Sequence, residues 1–289
     1  MKIHSLLLIG LCLVVSAFAS AGTTLSQSYT INNIRFIEAG NAVSVELRQG
    51  DSPSLDVEAD EDVMPRVIVE IEGDRLILGV ESEKWNLFDL FRNNNDHATF
   101  KVQLPDPAGL KLTGASEARV EELKVAGFKL ELSGASHAQL VPSTIAKLDL
   151  TLEGASAINI DQLEGEELNA SLSGASEASI EAQGKLNKLD ITATGASTYS
   201  GRELNADHVI VDAAGASTVD VAALKTLRVT ATGASNVSYL GSPQVTTAQF
   251  RGGQHRFPEQ LKQYFFTICA AIRSAGRMLP VQSRFALRP

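Results

Sequence analysis

A chain of 289 residues with 44% hydrophobic and 20% charged side chains has ordinary globular composition and enough length to bury a real core, which excludes wholesale disorder. Aromatics make up only 6% while glycines number 22, so small and aliphatic side chains must fill that core. The formal charge of −9 is unevenly spread, with −16 on residues 22–250 and +6 on residues 251–289. This argues against a nucleic-acid partner, because phosphate binding needs clustered Lys and Arg on the folded body.

Residues 1–21 read as a signal peptide: Lys2, an apolar stretch from Leu6 to Val15, then Ala17-Phe18-Ala19 or Ala19-Ser20-Ala21 as the small-residue cleavage pattern. The apolar stretch is about half of what a membrane-spanning helix needs. The expectation is an exported protein, in the periplasm, at the outer membrane surface or outside the cell, with no transmembrane helix. Cys269 would then be the one cysteine left, so the fold must hold without an internal disulfide.

Residues 22–105 alternate apolar and polar in short runs: Val43, Val45 and Leu47; Val67, Val69 and Ile71; Leu76, Leu78 and Val80; Phe100, Val102 and Leu104. Gly50-Asp51 and Gly73-Asp74 mark turns between them. We read this segment as a β cap continuous with the structure that follows, shielding its open edge. Trp85, Phe88 and Phe91 have the spacing of a short amphipathic helix. One reading packs them over an end of the fold, and the other makes them a ligand contact with Trp85 as a sugar-stacking platform. The acidic run Asp56, Glu58, Asp60, Glu61 and Asp62 matches no calcium-loop pattern and reads as a solvated loop. His97, His137 and His208 are scattered, so neither a metal site nor a cofactor is expected.

Residues 106–242 are dominated by repetition. Gly-Ala-Ser begins at Gly114, Gly134, Gly154, Gly174, Gly195, Gly215 and Gly233, at intervals of 20, 20, 20, 21, 20 and 18 residues. Six, four and two residues before each Gly the chain is apolar, as in Leu148, Leu150 and Leu152, with mostly polar residues between. Alternation resumes after the turn, as in Ile158 and Ile160, with Gly201 as an exception. Strict alternation means strand with one face buried. A unit this short has no room for a βαβ crossover or a four-stranded blade, and no Asn column marks a leucine-rich repeat. The remaining solution is all-β: a parallel β-helix whose coils stack about 4.8 Å apart. The seven glycines are its structural corners, since Gly permits dihedrals that a Cβ resists. Whether the Ala or the Ser of each corner faces the core is open at this point. A ladder of Ser hydroxyls donating from rung to rung is one way to satisfy them. Seven equivalent Ser residues without a partnered His do not read as nucleophiles.

Residues 243–289 form a basic tail, read as either loose or an amphipathic helix over 259–279 that caps the last coil or touches an anionic membrane.

The Gly-Ala-Ser repeats, together with Ile34-Arg35-Phe36, the stretch from Val43 to Asp51, the acidic stretch from Val57 to Asp62 and the run from Arg75 to Val80, resemble the head GIN family, a bacterial domain of unknown function described as a putative auto-transporter adhesin head domain. The resemblance covers roughly residues 30–250 and implies a secreted or envelope-associated right-handed β-helix. It supplies no catalytic residues.

Three functions are compatible with this reading. The first is a non-catalytic, adhesin-like module that binds glycan or an envelope protein through its outer surface. The second is a carbohydrate-active lyase or hydrolase, with Glu153, Glu177, Asp190, Asp212 and Asp220 as outward carboxylates. The third is a self-assembling structural protein that stacks end to end.

Overall fold

The structure, a computed structural model, describes residues 24–81, 97–181, 183–251 and 266–269. The β-rich alternation of the N-terminal segment becomes seven strands: β1 (Thr24–Tyr29), β2 (Phe36–Ala39), β3 (Ser44–Gln49), β4 (Ser54–Asp60), β5 (Val67–Glu72), β6 (Arg75–Val80) and β7 (Ala98–Leu104). Strands β2 and β3 flank a corner and together form a rung. On one side, β6 and β7 lie parallel to them, pairing Ala39 with Leu78 and Leu47 with Val102. On the other side, they pair in parallel with β8 (Gly109–Leu112) and β9 (Glu117–Val120), which open the repeat. The rung formed second in the chain is therefore the outermost of the parallel rungs, and the rung formed first is sandwiched. Beyond it the pairing turns antiparallel: β5 lies on β6, β4 on β7, and β1 on β4. The acidic run expected as a loop is largely strand. Leu55, Val57 and Ala59 of β4 are buried, while Asp56, Glu58 and Asp60 alternate outward.

The repeat continues through β10 (Lys124–Leu132), β11 (His137–Leu140), β12 (Ser143–Leu152), β13 (Ala157–Ile160), β14 (Leu163–Glu164), β15 (Glu167–Leu172), β16 (Glu177–Ile180), β17 (Gly184–Ala193), β18 (Thr198–Ala213), β19 (Thr218–Thr232), β20 (Asn236–Leu240) and β21 (Gln244–Arg251). It is a β-solenoid of about seven turns of roughly 20 residues, with parallel pairing between coils. Before each Gly-Ala-Ser turn, Leu110, Leu130, Leu150, Ala170, Ile191, Val211 and Val229 stand in register. After each turn, Ala118, Ala138, Ile158, Ala178, Tyr199, Val219 and Val237 do the same. A third, shorter stretch aligns Thr144, Glu164, Lys185, Asn205 and Ala222. Both main columns are buried throughout and form one core with the N-terminal rungs. Each buried Leu or Ile contributes about 1.5–3 kcal/mol.

The turns stack on one another. The seven glycines have φ between +75° and +81°. The Ala N–H of each later turn donates to the Gly carbonyl of the turn before, at 2.6–2.7 Å. A Cβ on Gly134 would lie 2.4 Å from the Gly114 carbonyl oxygen, so both the dihedral and the space require Gly there. At the equivalent position the first coil turns through Asn41 and Ala42, both at positive φ (65° and 59°), whereas each repeat corner has only its Gly in that region. The question of which corner residue faces the core is settled: all seven Ser are buried and the Ala are exposed. Each Ser Oγ donates to the carbonyl three residues earlier, at 2.8–3.1 Å. Those of Ser156, Ser217 and Ser235 also reach a carbonyl of the preceding coil at 3.3–3.4 Å. Side chain–backbone bonds, not a rung-to-rung hydroxyl ladder, satisfy the corner serines.

The Gly201 exception has a packing cause. A Cβ there would meet the Tyr199 ring at 2.6 Å, so the ring fills the volume that Val or Ile occupies in other coils. The Tyr199 hydroxyl is fully buried with no hydrogen-bond partner, and burial pushes its pKa far above the usual tyrosine value. The uneven intervals are absorbed by local shifts of register. The extra residue of the 21-residue coil falls between Ile180 and Lys185, and the shortened coil shifts register between Gly201 and Asn205 and regains one residue between Ala206 and His208.

The solenoid extends past residue 242, since β21 pairs with β19 from Gln244 to Arg251. Within the tail expected as helix or loose chain, β22 (Phe266–Cys269) runs antiparallel to β20. A helix over 259–279 is therefore not formed at those four positions.

Candidate functional site

With apolar side chains turned inward, chemistry on this fold can only lie on the outer columns, at the corners or at the ends. Trp85, Phe88 and Phe91 lie outside the described residues. The five carboxylates singled out above stand in five different columns. Glu153, Asp212 and Asp190 are one, three and five places before a Gly, and Glu177 and Asp220 are three and five places after one. The structure does not gather them. Asp190 faces Lys188 at 3.5 Å, and Asp220 is held by Arg202 at 3.0 Å and by the Ser238 hydroxyl. His137 occupies its outward column between Glu117 and Ala157, and His208 Nδ1 lies 2.8 Å from Thr226 Oγ1. No group of three or more metal-ligating side chains occurs among the described residues. The acidic side chains of β4 are spent locally, Asp56 accepting from Ser28 at 2.5 Å and Glu58 pairing with Lys101 at 2.7 Å.

Two concavities occur where the N-terminal rungs meet the repeat. One is an open cleft of about 490 Å³ beside Gly50 and Pro105, where the chain leaves the stack and re-enters it. Its central side chain is consumed by structure: Gln49 Nε2 donates to the carbonyls of Pro105 and Lys124 at 3.1 and 3.3 Å, and its Oε1 accepts from Lys124 N–H at 2.8 Å.

The other is a depression of about 100 Å³ across β6, β2, β8 and β10. It exists because Phe36 and Glu38 point outward while Ile37 and Ala39 point in. Phe36 is registered directly against Gly109. A Cβ on Gly109 would lie 2.9 Å from Phe36 Cδ1, so one edge of the ring takes the place of a missing side chain and buries the glycine. Around the half-buried ring stand Arg75, Lys111 and Lys129 with Glu38 and Glu131. Glu38 accepts from Lys111 Nζ and Arg75 Nη1, each at 2.8 Å, and Lys129 pairs with Glu131 at 2.5 Å. The hydrogen bond from Lys111, followed by that from Arg75, holds the Glu38 carboxyl below the usual carboxylate range, against the opposing effect of burial.

Sequence reasoning missed this site because Phe36 sits outside the Gly-Ala-Ser alignment. Reading Gly40-Asn41-Ala42 as a degenerate corner would have placed Phe36 in an outward column opposite Gly109. Along the remaining outer faces the columns carry small polar residues, such as Thr151, Ser171 and Thr192, or paired charges such as Lys188 with Glu167 at 2.8 Å.

Comparison with known proteins agrees with this geometry. A putative adhesin from Parabacteroides merdae superposes with a TM-score of 0.68 at 17% identity, covering 80% of this chain and 94% of its own. A protein from Parabacteroides distasonis described as a putative lipid binding protein gives 0.68 at 19% identity, covering 80% and 97%. A putative adhesin from Bacteroides fragilis gives 0.57 at 14%, covering 79% and 95%. At these identities the likeness is one of fold. Among curated proteins nothing matches. The family described as "Putative auto-transporter adhesin, head GIN domain" matches residues 35–243, which span the sandwiched first rung, strands β4 and β5 of the antiparallel cap and all seven Gly-Ala-Ser turns; this chain belongs to the head GIN domain family.

Proposed function

We propose that this protein is an exported, non-catalytic, adhesin-like module that binds glycan or an envelope protein through the outer surface of its solenoid. The observation that carries the reading is the register of the outward columns. Polar side chains recur rung after rung at a spacing of about 4.8 Å on a rigid wall, which suits a repeating polymer engaged by many weak contacts. Family membership and the leader-like residues 1–21 support export.

Binding to immobilised polysaccharides and envelope extracts, alongside a turnover assay on the same polymers, tests it. In-frame removal of residues 154–173, one whole coil by register, should leave a folded protein with weaker avidity for its polymer. Turnover of a polysaccharide would replace this reading with the enzymatic one. Concentration-dependent growth in sedimentation without any ligand would favour end-to-end assembly instead.

A further inference from the structure

Resting on that reading, we infer that the depression around Phe36 is a saccharide subsite selective for acidic sugars. Three observations converge on it. First, Phe36 is a half-buried aromatic on an outward position that in later coils holds Lys129, Asp149, Asn169 and Asp190. Its edge seals Gly109, and the rest of the ring borders the depression. Such a ring offers an apolar platform to the C–H face of a sugar.

Second, the charges beside it run against those of the whole body. Residues 22–250 carry −16, yet the lining holds three cations against two carboxylates. An excess of one positive charge in the lining, on an otherwise acidic molecule, favours an anionic ligand at this place over the rest of the surface. Third, the polar groups are pre-positioned by one another. Glu38 ties Arg75 and Lys111 together across three adjacent strands, and each cation keeps further N–H donors beyond the one that Glu38 accepts. A carboxylate on a pyranose ring uses both features at once, the ring over Phe36 and the carboxylate toward Lys129, Lys111 or Arg75. A phosphate headgroup would use the cations and leave the ring idle, so an acidic glycan is favoured over a lipid surface.

The test is titration calorimetry on the full chain with oligogalacturonate, its carboxyl-reduced neutral counterpart, and phosphatidylglycerol vesicles. Phe36→Leu keeps an apolar cover over Gly109 while removing the aromatic face, and Lys129→Gln removes one cation. Circular dichroism and thermal unfolding verify that each remains folded. We expect the uronate oligomer to bind, its neutral counterpart to bind at least about tenfold more weakly, and each variant to lose about tenfold in affinity for the uronate. Raising salt should weaken the uronate interaction. Uronate binding unchanged in both variants overturns the site. Binding to the vesicles but not to the oligosaccharide overturns the sugar assignment. Binding of other glycans with no effect of either variant removes this subsite while leaving the adhesin-like reading intact; failure to bind any polymer or envelope protein removes both.

Discussion

From Gly109 to Leu240 each strand pairs with the segment about twenty residues away, whereas from Thr24 to Leu104 the rungs are assembled out of chain order and finish in antiparallel strands. Both regions share one core, but they meet different constraints at their corners. A repeat corner after the first has another backbone turn packed against it, with the preceding Gly carbonyl 2.4–2.7 Å from any added Cβ. The corner of the first coil holds Asn41 and Ala42 at positive φ, and a Cβ on Gly114 would find its N–H no closer than 3.6 Å. Repetition thus enforces glycine through stacking as well as through dihedral preference. The N-terminal region has a different task. It ends the sheet with antiparallel strands, β5 carrying Glu70 and Glu72 and β1 carrying Thr24, Ser26 and Ser28 at its exposed positions, which blunt the edge against association with other chains.

The comparison can be broken most forcefully at the rung that holds Tyr199 and Gly201. Tyr199→Ala should cost about 3–5 kcal/mol in urea unfolding, because it empties the volume left by Gly201. Gly201→Val alone should be strongly destabilising through its clash with the ring, and Tyr199→Ile should rescue it by restoring a branched aliphatic pair like Val219 and Val221 of the next coil. Tyr199→Phe should be neutral or stabilising by about 1–2 kcal/mol, since it removes a buried hydroxyl that has no partner. Loss of stability in Tyr199→Phe would contradict this packing account.

Corner substitutions come next. Gly174→Ala faces the Gly154 carbonyl oxygen at 2.5 Å at a φ of +81° and should lose about 3 kcal/mol or more. Gly73→Ala has a φ of +66° with nothing within 4 Å, and should lose only about 1 kcal/mol. Asn41→Gly should be close to neutral, because the easier positive φ is offset by loss of the hydrogen bond from Asn41 Nδ2 to the Val80 carbonyl at 3.3 Å. Equal losses at Gly174 and Gly73 would show that stacking adds nothing to the requirement for glycine. Ser176→Ala leaves the Ser173 carbonyl without its Oγ–H donor and should cost about 1–2 kcal/mol. The first coil meets the same position with Val43 and needs no hydroxyl there.

The smallest effect is electrostatic. The carboxyl of Glu38 has a folded-state pKa depressed by Lys111 and Arg75, so its contribution is present above the unfolded pKa and is lost as pH falls through the folded one. Because the side chains are substantially exposed, that contribution should be under about 1 kcal/mol. Unfolding of the wild type and Glu38→Gln should differ at pH 7 and converge at acid pH, and a difference that persists in acid would rule out the ion-pair origin.

How far each region could be read from sequence follows the same division. Alternation around the seven turns identified strands, inward columns and coil length, because each of these is set by residues close together in the chain and repeated until register is unambiguous. Local patterning also found the strands of the cap. It did not find their order, since nothing in the run from Arg75 to Val80 records that it will lie on Phe36–Ala39 rather than on the strand that follows. Nor could it orient the corner Ser, whose inward direction depends on how the backbone turns and which carbonyls it brings near. The pairing of Phe36 with Gly109 joins residues far apart in sequence and of opposite size, and only the stacked rungs bring the ring over the glycine. Period and polarity belong to the chain itself; adjacency between non-neighbouring segments belongs to the packed sheet, and the candidate binding site depends on that adjacency.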